Sequence, residues 1–195
     1  MAGFLDQLQY TPTGKRTQPG RLARLFKGKG RPIFDVESLS FEIGHKGSGV
    51  VWKTQKQESD FNSIPWLIDQ LGFDPLSHFK KPSIIHDDGY KRHAYVCDLI
   101  IRVMWEQEVE LRIFGIHVNK RYSLMPVRKF CDLIYLHAMQ VVIERNMPKT
   151  GTIKRLWFRF TRLPLYARAL MHFAAVCIGG RRGFYRHSQT QGDTT

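Results

Sequence analysis

The stretch Pro82-Ser83-Ile84-Ile85-His86-Asp87-Asp88-Gly89-Tyr90 decides how the rest of the chain is read. Pro82 suits the first turn of a helix, where a missing N–H has no intrahelical partner to lose. On that helix His86 and Tyr90 stand four residues apart and share one face. Ile84 and Ile85 give the segment an apolar side, and Asp87 points about 100° away from His86. An imidazole, a carboxylate and a phenol are thereby held on one rigid segment, as a catalytic or metal site requires. Two more polar markers sit in other segments. Asp60 opens Asp60-Phe61-Asn62-Ser63-Ile64-Pro65, and Arg128 and Asp132 are one turn apart in Val127-Arg128-Lys129-Phe130-Cys131-Asp132-Leu133.

Upstream, Phe34, Val36, Leu39, Phe41 and Ile43 alternate in part, which argues for a strand over 33–43. Gly44, Gly47 and Gly49 make a turn, and Val50-Val51-Trp52-Lys53-Thr54 returns as the second arm of a hairpin. Gly47-Ser48-Gly49 is taken as that turn, with a backbone cradle for an anion or metal as the alternative. Trp66 to Leu71 fits a short helix closed by Gly72. Downstream of the His helix, His93 to Trp105 forms a further helix with Val96, Leu99, Ile100 and Val103 as its stripe. Val109 to Val118 fits either a strand or a helix continuation. Val127 to Arg145 is the clearest helix, with Phe130, Ile134, Ala138, Val141 and Val142 at helical spacing. A last apolar helix begins at Leu163 and ends at Gly179-Gly180. Together these elements predict an α+β fold, a small antiparallel N-terminal sheet or hairpin packed on a mainly helical body. Residues 32–186 form that single domain.

The flanks differ in composition. Residues 1–31 carry seven Lys and Arg against Asp6 alone and are rich in Gly, Thr, Pro and Gln. They are expected to be a basic flexible or docking arm, and 187–195 a disordered tail. Segment 154–182 has the composition of an interfacial amphipathic element, basic with aromatic anchors. The helical spacing of Tyr166, Leu170, Phe173 and Cys177 favours a core helix instead. The net charge of +13 and the pI near 9.9 point to nucleic acid, anionic lipid headgroups or an acidic protein surface as partners. A hydrophobic content of 43% is enough for a core. Gly-Lys-Gly at 28–30 lacks the spacing of a phosphate-binding loop. Cys97, Cys131 and Cys177 lie far apart in apolar runs, which fits buried reduced thiols and neither a disulfide framework nor a zinc ribbon. No secretory signal is recognised. Leu163 to Ile178 is short for a membrane span and is interrupted by Arg168 and His172.

The chemistry open to these markers follows from geometry. A catalytic His needs an acceptor on one ring nitrogen to fix its tautomer, and Asp132 on a facing helix would supply it. The other nitrogen would then deprotonate a water. Tyr90 would tie the two helices by bonding Asp132. Asp87, turned toward a loop, would suit a hard cation such as calcium. Arg128 is equally placed to pair with Asp132 and compete with His86. A lone helical His is also a common hydrogen-bonded core residue.

The order Asp60-x-x-Ser63-Ile64-Pro65, His86-Asp87-x-x-Tyr90 and Arg128-x-x-x-Asp132, with a closing helix holding Tyr166 and Gly179, resembles a bacteriophage and prophage family known as domain of unknown function 1353. The resemblance spans about residues 33–185. It implies a late-gene product found in the virion, made in the host cytoplasm and partnered with other phage virion proteins in the tail or neck. The basic arms would dock it, with anionic membrane or nucleic acid as further contacts. A shorter likeness, His86-Asp87-x-x-Tyr90 with Cys131-Asp132, is similar to the paired helices of secretory-type phospholipases of the A-two class. It implies His86 as general base, Asp87 as calcium ligand and Tyr90 and Asp132 as support. Asp60 and Arg128 are further candidates to support a His86–Asp132 pair. The alternative function is thus a phospholipase-like esterase acting on the host envelope through a His86–Asp132 dyad.

Overall fold

The alternation at 33–43 resolves into two strands, because the chain turns a corner between them. The computed structural model describes residues 3–16, 32–59, 79–118, 121–148 and 150–192. Within them β1 (Tyr10–Arg16), β2 (Pro32–Val36) and β5 (Gln57–Ser59) form one antiparallel sheet in the order β1-β2-β5. β3 (Ser40–Glu42) and β4 (Val51–Lys53) form the expected hairpin, with Phe41 opposite Trp52. The corner is held by reciprocal bonds: Leu39 N–H to Thr54 Oγ1 at 2.8 Å, and Thr54 N–H to the Leu39 carbonyl at 2.9 Å. Val36, Leu39, Phe41, Ile43 and Trp52 all point inward and are buried.

The basic N-terminal segment is not wholly an arm. Residues 3–16 belong to the domain: β1 pairs with β2, the Leu5 N–H donates to the Ser40 carbonyl, and the Phe4 ring lies 4.8 Å from that of Phe41. Alternating Tyr10 and Pro12 against β2 supply what composition alone concealed. Residues 17–31 lie outside the described residues, as do Asp60 and the expected helix at 66–71.

A single helix, α1 (Lys80–Glu106), replaces the two that periodicity predicts on either side of residues 91–92. Its 27 residues span about 40 Å at 1.5 Å per residue. Ile84, Ile85, Cys97, Ile100 and Met104 keep one face buried throughout. Gly89 does not end the helix but lets it approach its neighbours. A Cβ there would stand 3.0 Å from Cys131 Sγ and 3.1 Å from the Trp52 ring. Gly89→Val is therefore expected to cost about 1–3 kcal/mol in urea unfolding, despite the better helix propensity of valine. A variant as stable as the parent would show that this contact is loose.

After α1, Val109–Val118 is strand: β6 (Leu111–Ile113) and β7 (Ile116–Val118) pair through a two-residue turn in which Phe114 and Gly115 both have positive φ. That is the turn geometry that matches the twist of a tight hairpin. α2 (Val127–Glu144) is buried along most of its length and sits at the centre of the molecule. α3 (Thr152–Thr161) buries none of its residues. α4 (Leu163–Gly192) starts with Pro164 in its first turn and runs past Gly179-Gly180. Glycines weaken a helix interior by about 1 kcal/mol each without forbidding it. The expected stop at 179–180 is thus corrected: the backbone is helical to Gly192, and 193–195 lie outside the described residues. α1, α2 and α4 pack against one another, and β4 and β5 rest on α1. Among the described residues no helix is long and apolar enough to cross a membrane.

Candidate functional site

The facing of α1 and α2 brings His86, Tyr90, Arg128 and Asp132 together, 42 to 46 residues apart across the helix pair. Tyr90 OH donates to Asp132 Oδ1 at 2.6 Å, and His86 Nε2 lies 3.2 Å from the same oxygen. Arg128 Nη1 reaches Asp132 Oδ2 at 3.4 Å and the Cys177 carbonyl of α4 at 3.2 Å. Asp132 therefore engages His86 and Arg128 at once, one oxygen each. The competition expected between them does not arise.

The cluster is closed. His86 is 3% exposed and Asp132 1%. The imidazole lies between the rings of Tyr90 and Tyr135, with centroids 4.1 and 4.9 Å away. Its Nδ1 has no hydrogen-bond partner and stands 3.9 Å from Asp87 Oδ1. Burial works against charge on His86, but the bond and charge of Asp132, with those of Asp87, outweigh it and raise its pKa above the usual value. The two carboxylates favour the charged imidazole, and that form has no lone pair with which to accept a proton. Burial, then the Asp132 carboxylate, pushes the Tyr90 phenol far above its usual range and keeps it a donor.

Asp87 faces away, as expected, but toward protein. Its Oδ2 accepts from Ser59 Oγ at 2.9 Å. Burial alone would raise its pKa; His86, Lys91 and Ser59 reverse that and hold it low. Among the described residues no group of three or more His, Cys, Asp or Glu is arranged to hold a metal ion. The Gly47-Ser48-Gly49 cradle is filled by the protein itself: Glu42 Oε1 accepts from the Gly47 N–H at 2.8 Å, and Ser48 Oγ donates to the Ile43 carbonyl at 2.6 Å. It is a hairpin turn. Cys97 and Cys131 are buried with their sulfurs 3.1 Å apart, and no thiol is in a disulfide.

The residue that pattern reading passed over is Asp88. It is 2% exposed and accepts from Trp52 Nε1 at 2.8 Å, the Gln55 N–H at 3.2 Å and Arg92 Nε at 2.9 Å, with a second bond from Arg92 Nη2. This fastens the β3–β4 hairpin to α1. The only sequence signal was the four-residue spacing of Asp88 and Arg92. Likewise, Lys91 Nζ bonds the Glu58 carbonyl and Gln57 Oε1 at 2.9 Å each, tying α1 to β5.

Fold and site together define an α+β protein whose helices are bolted to each other, and to the sheet, by two buried carboxylates. No family model, no curated protein and no solved structure matches the chain. The likeness to the phage family accordingly rests on the quoted motifs.

Proposed function

We propose that this chain is a phage-encoded structural or accessory protein of the virion, associated with tail or neck, that acts by docking and not by catalysis. The observation that carries the non-catalytic part is the sealing of His86 and Asp132, at 3% and 1% exposure, with every polar atom of Asp132 engaged by protein. A group with no path to solvent has no path to substrate. The same cluster joins α1, α2 and α4, which is what a rigid assembly component needs. The phage resemblance and the +13 charge support the virion as its setting. Mass spectrometry of purified particles of the encoding phage should find the chain in fixed ratio to known tail or neck proteins. Its absence from intact particles would end the virion reading.

The hydrolase reading keeps one observation in its favour, the 3.2 Å contact between His86 Nε2 and Asp132 Oδ1. It is tested on mixed phospholipid vesicles with calcium and with chelator, beside His86→Ala. The docking reading expects no cleavage under either condition. Cleavage by the parent protein, lost in the variant, would replace it.

A further inference from the structure

Among the described α-helices α3 buries none of its residues, and its sequence Thr-Ile-Lys-Arg-Leu-Trp-Phe-Arg-Phe-Thr is not that of a solvated helix. Ile153, Leu156, Trp157 and Phe160 are between 62% and 84% exposed. At 3.6 residues per turn these four and Leu163 fall within an arc of about 120°. Lys154 borders that arc on one side and Arg159 on the other. The Trp157 and Phe160 rings stack on each other, centroids 6.0 Å apart, so the face is a continuous apolar surface.

On the opposite side of α3, Phe158 is half-buried beneath the Arg162 guanidinium of the same helix end, 5.3 Å from the ring, and Arg155 Nε donates to the Pro148 carbonyl at 3.0 Å. Arg159 Nη2 lies 3.9 Å from Glu144 and links α3 to α2. The apolar arc itself is exposed. It also continues past the helix: Leu163, exposed on the arc, lines with Leu170, Phe114 and Tyr166 an open apolar pocket of about 280 Å³.

The charge along this segment selects the partner. From Arg145 to Arg168 the sequence contains seven Lys and Arg and no Asp or Glu. A basic helix with an exposed Trp–Phe–Leu face and low net hydrophobicity is the composition that lies in a membrane interface. There the rings sit at headgroup depth and the cations meet lipid phosphates. Nucleic acid would use the cations but leave the apolar arc in water. A protein groove would need an acidic rim on both sides of an apolar floor, a narrower match than an anionic bilayer.

We propose that α3 is a membrane-surface anchor. It lies in the plane of an anionic bilayer with Ile153, Leu156, Trp157 and Phe160 in the acyl boundary and Lys154 among the phosphates. This inference does not depend on the virion reading, because it concerns a surface the particle assay does not probe.

The test is flotation of the full chain with vesicles of phosphatidylcholine alone, or of equal parts phosphatidylcholine and phosphatidylglycerol. The expected result is recovery with the anionic vesicles only, reduced at least tenfold in partition by Trp157→Ser with Phe160→Ser. Salt at ~1 M, where the screening length is about 3 Å, should weaken it as well. Both rings are exposed, so the double variant should keep the parent's circular dichroism and thermal midpoint. Absence of flotation would overturn the proposal. So would flotation unchanged by the double substitution, or equal binding to neutral vesicles. Loss in the double variant of DNA or virion-protein binding, with no flotation by the parent, would assign the face to that partner instead.

Discussion

Asp132→Ala should be the most damaging single substitution in this protein, lowering unfolding free energy by about 3–5 kcal/mol. The carboxylate is almost fully buried and stands between a phenol and an imidazole of α1 and a guanidinium of its own helix, which in turn bonds the Cys177 carbonyl of α4. Its removal takes from Arg128 its buried counter-charge, leaves His86 with Asp87 alone at 3.9 Å, and deletes the 2.6 Å bond of the Tyr90 hydroxyl. A loss of that size is a large share of the ~5–15 kcal/mol that holds an ordinary domain together. Tyr90→Phe removes one hydrogen bond and should cost only about 1 kcal/mol. The ordering is measured by urea unfolding of the three proteins. An Asp132→Ala variant within 1 kcal/mol of the parent, on the scale of a surface ion pair, would mean that the cluster is hydrated and open. That outcome would also remove the main argument against catalysis.

Acidification should destabilise the protein well before its carboxylates titrate. Burial pushes His137 down to about 4, with a bond to the Arg112 backbone opposing it slightly. Burial, helped by the Arg168 charge, brings His172 to about 4 as well. His137 Nε2 accepts from the Gly44 N–H at 3.3 Å, and His172 lies against Tyr135 and Phe79. In the unfolded chain both protonate near 6.5. Between that value and about 4 the unfolded state binds more protons, so stability falls as pH falls through the window. For His137 the full loss is about 3 kcal/mol, at 1.36 kcal/mol per unit. His86 has the opposite sign. Its raised pKa gives stability that is complete below 6.5 and is lost as pH climbs through the folded value. The depressed Asp87 matters only below the usual carboxylate range.

The expected profile therefore peaks near pH 6.5 and falls on both sides. Denaturant midpoints across pH 4 to 9 would show it. His137→Gln, which keeps an acceptor for Gly44, should flatten a large part of the acid limb. A midpoint constant from pH 7 to 4.5 would mean that these rings are solvated in the folded state.

Several of these features were legible in the chain itself. Pro82, the spacing of His86 and Tyr90, and the spacing of Arg128 and Asp132 placed two helices and the faces that meet, because helical period is a local property. Alternation from Phe34 to Ile43 with glycines after it placed the β3–β4 hairpin for the same reason. Other features depended on contacts between distant segments. Composition marked 1–31 as an arm, yet β1 is ordered by a partner strand, and pairing of that kind leaves no trace in charge content. The role of Gly89, close approach to Cys131 and Trp52, belongs to the packing of three elements and has no local signal. Asp88 was overlooked because a buried acceptor is recognised by its donors, and Trp52 and Gln55 lie more than thirty residues away.

Segment 154–182 shows the division most clearly. Its sequence allowed both an interfacial helix and a core helix, and the structure divides the two at Leu163, with α3 outside and Ala169, His172 and Val176 of α4 inside. The sequence by itself determined the α+β class, the two principal helices and which residue types could meet. Only the tertiary structure decided that Asp132 serves His86 and Arg128 together, and that Asp132 and His86 are almost fully buried. Periodicity records which side of a segment is apolar, whereas burial depends on what the rest of the chain lays over that side.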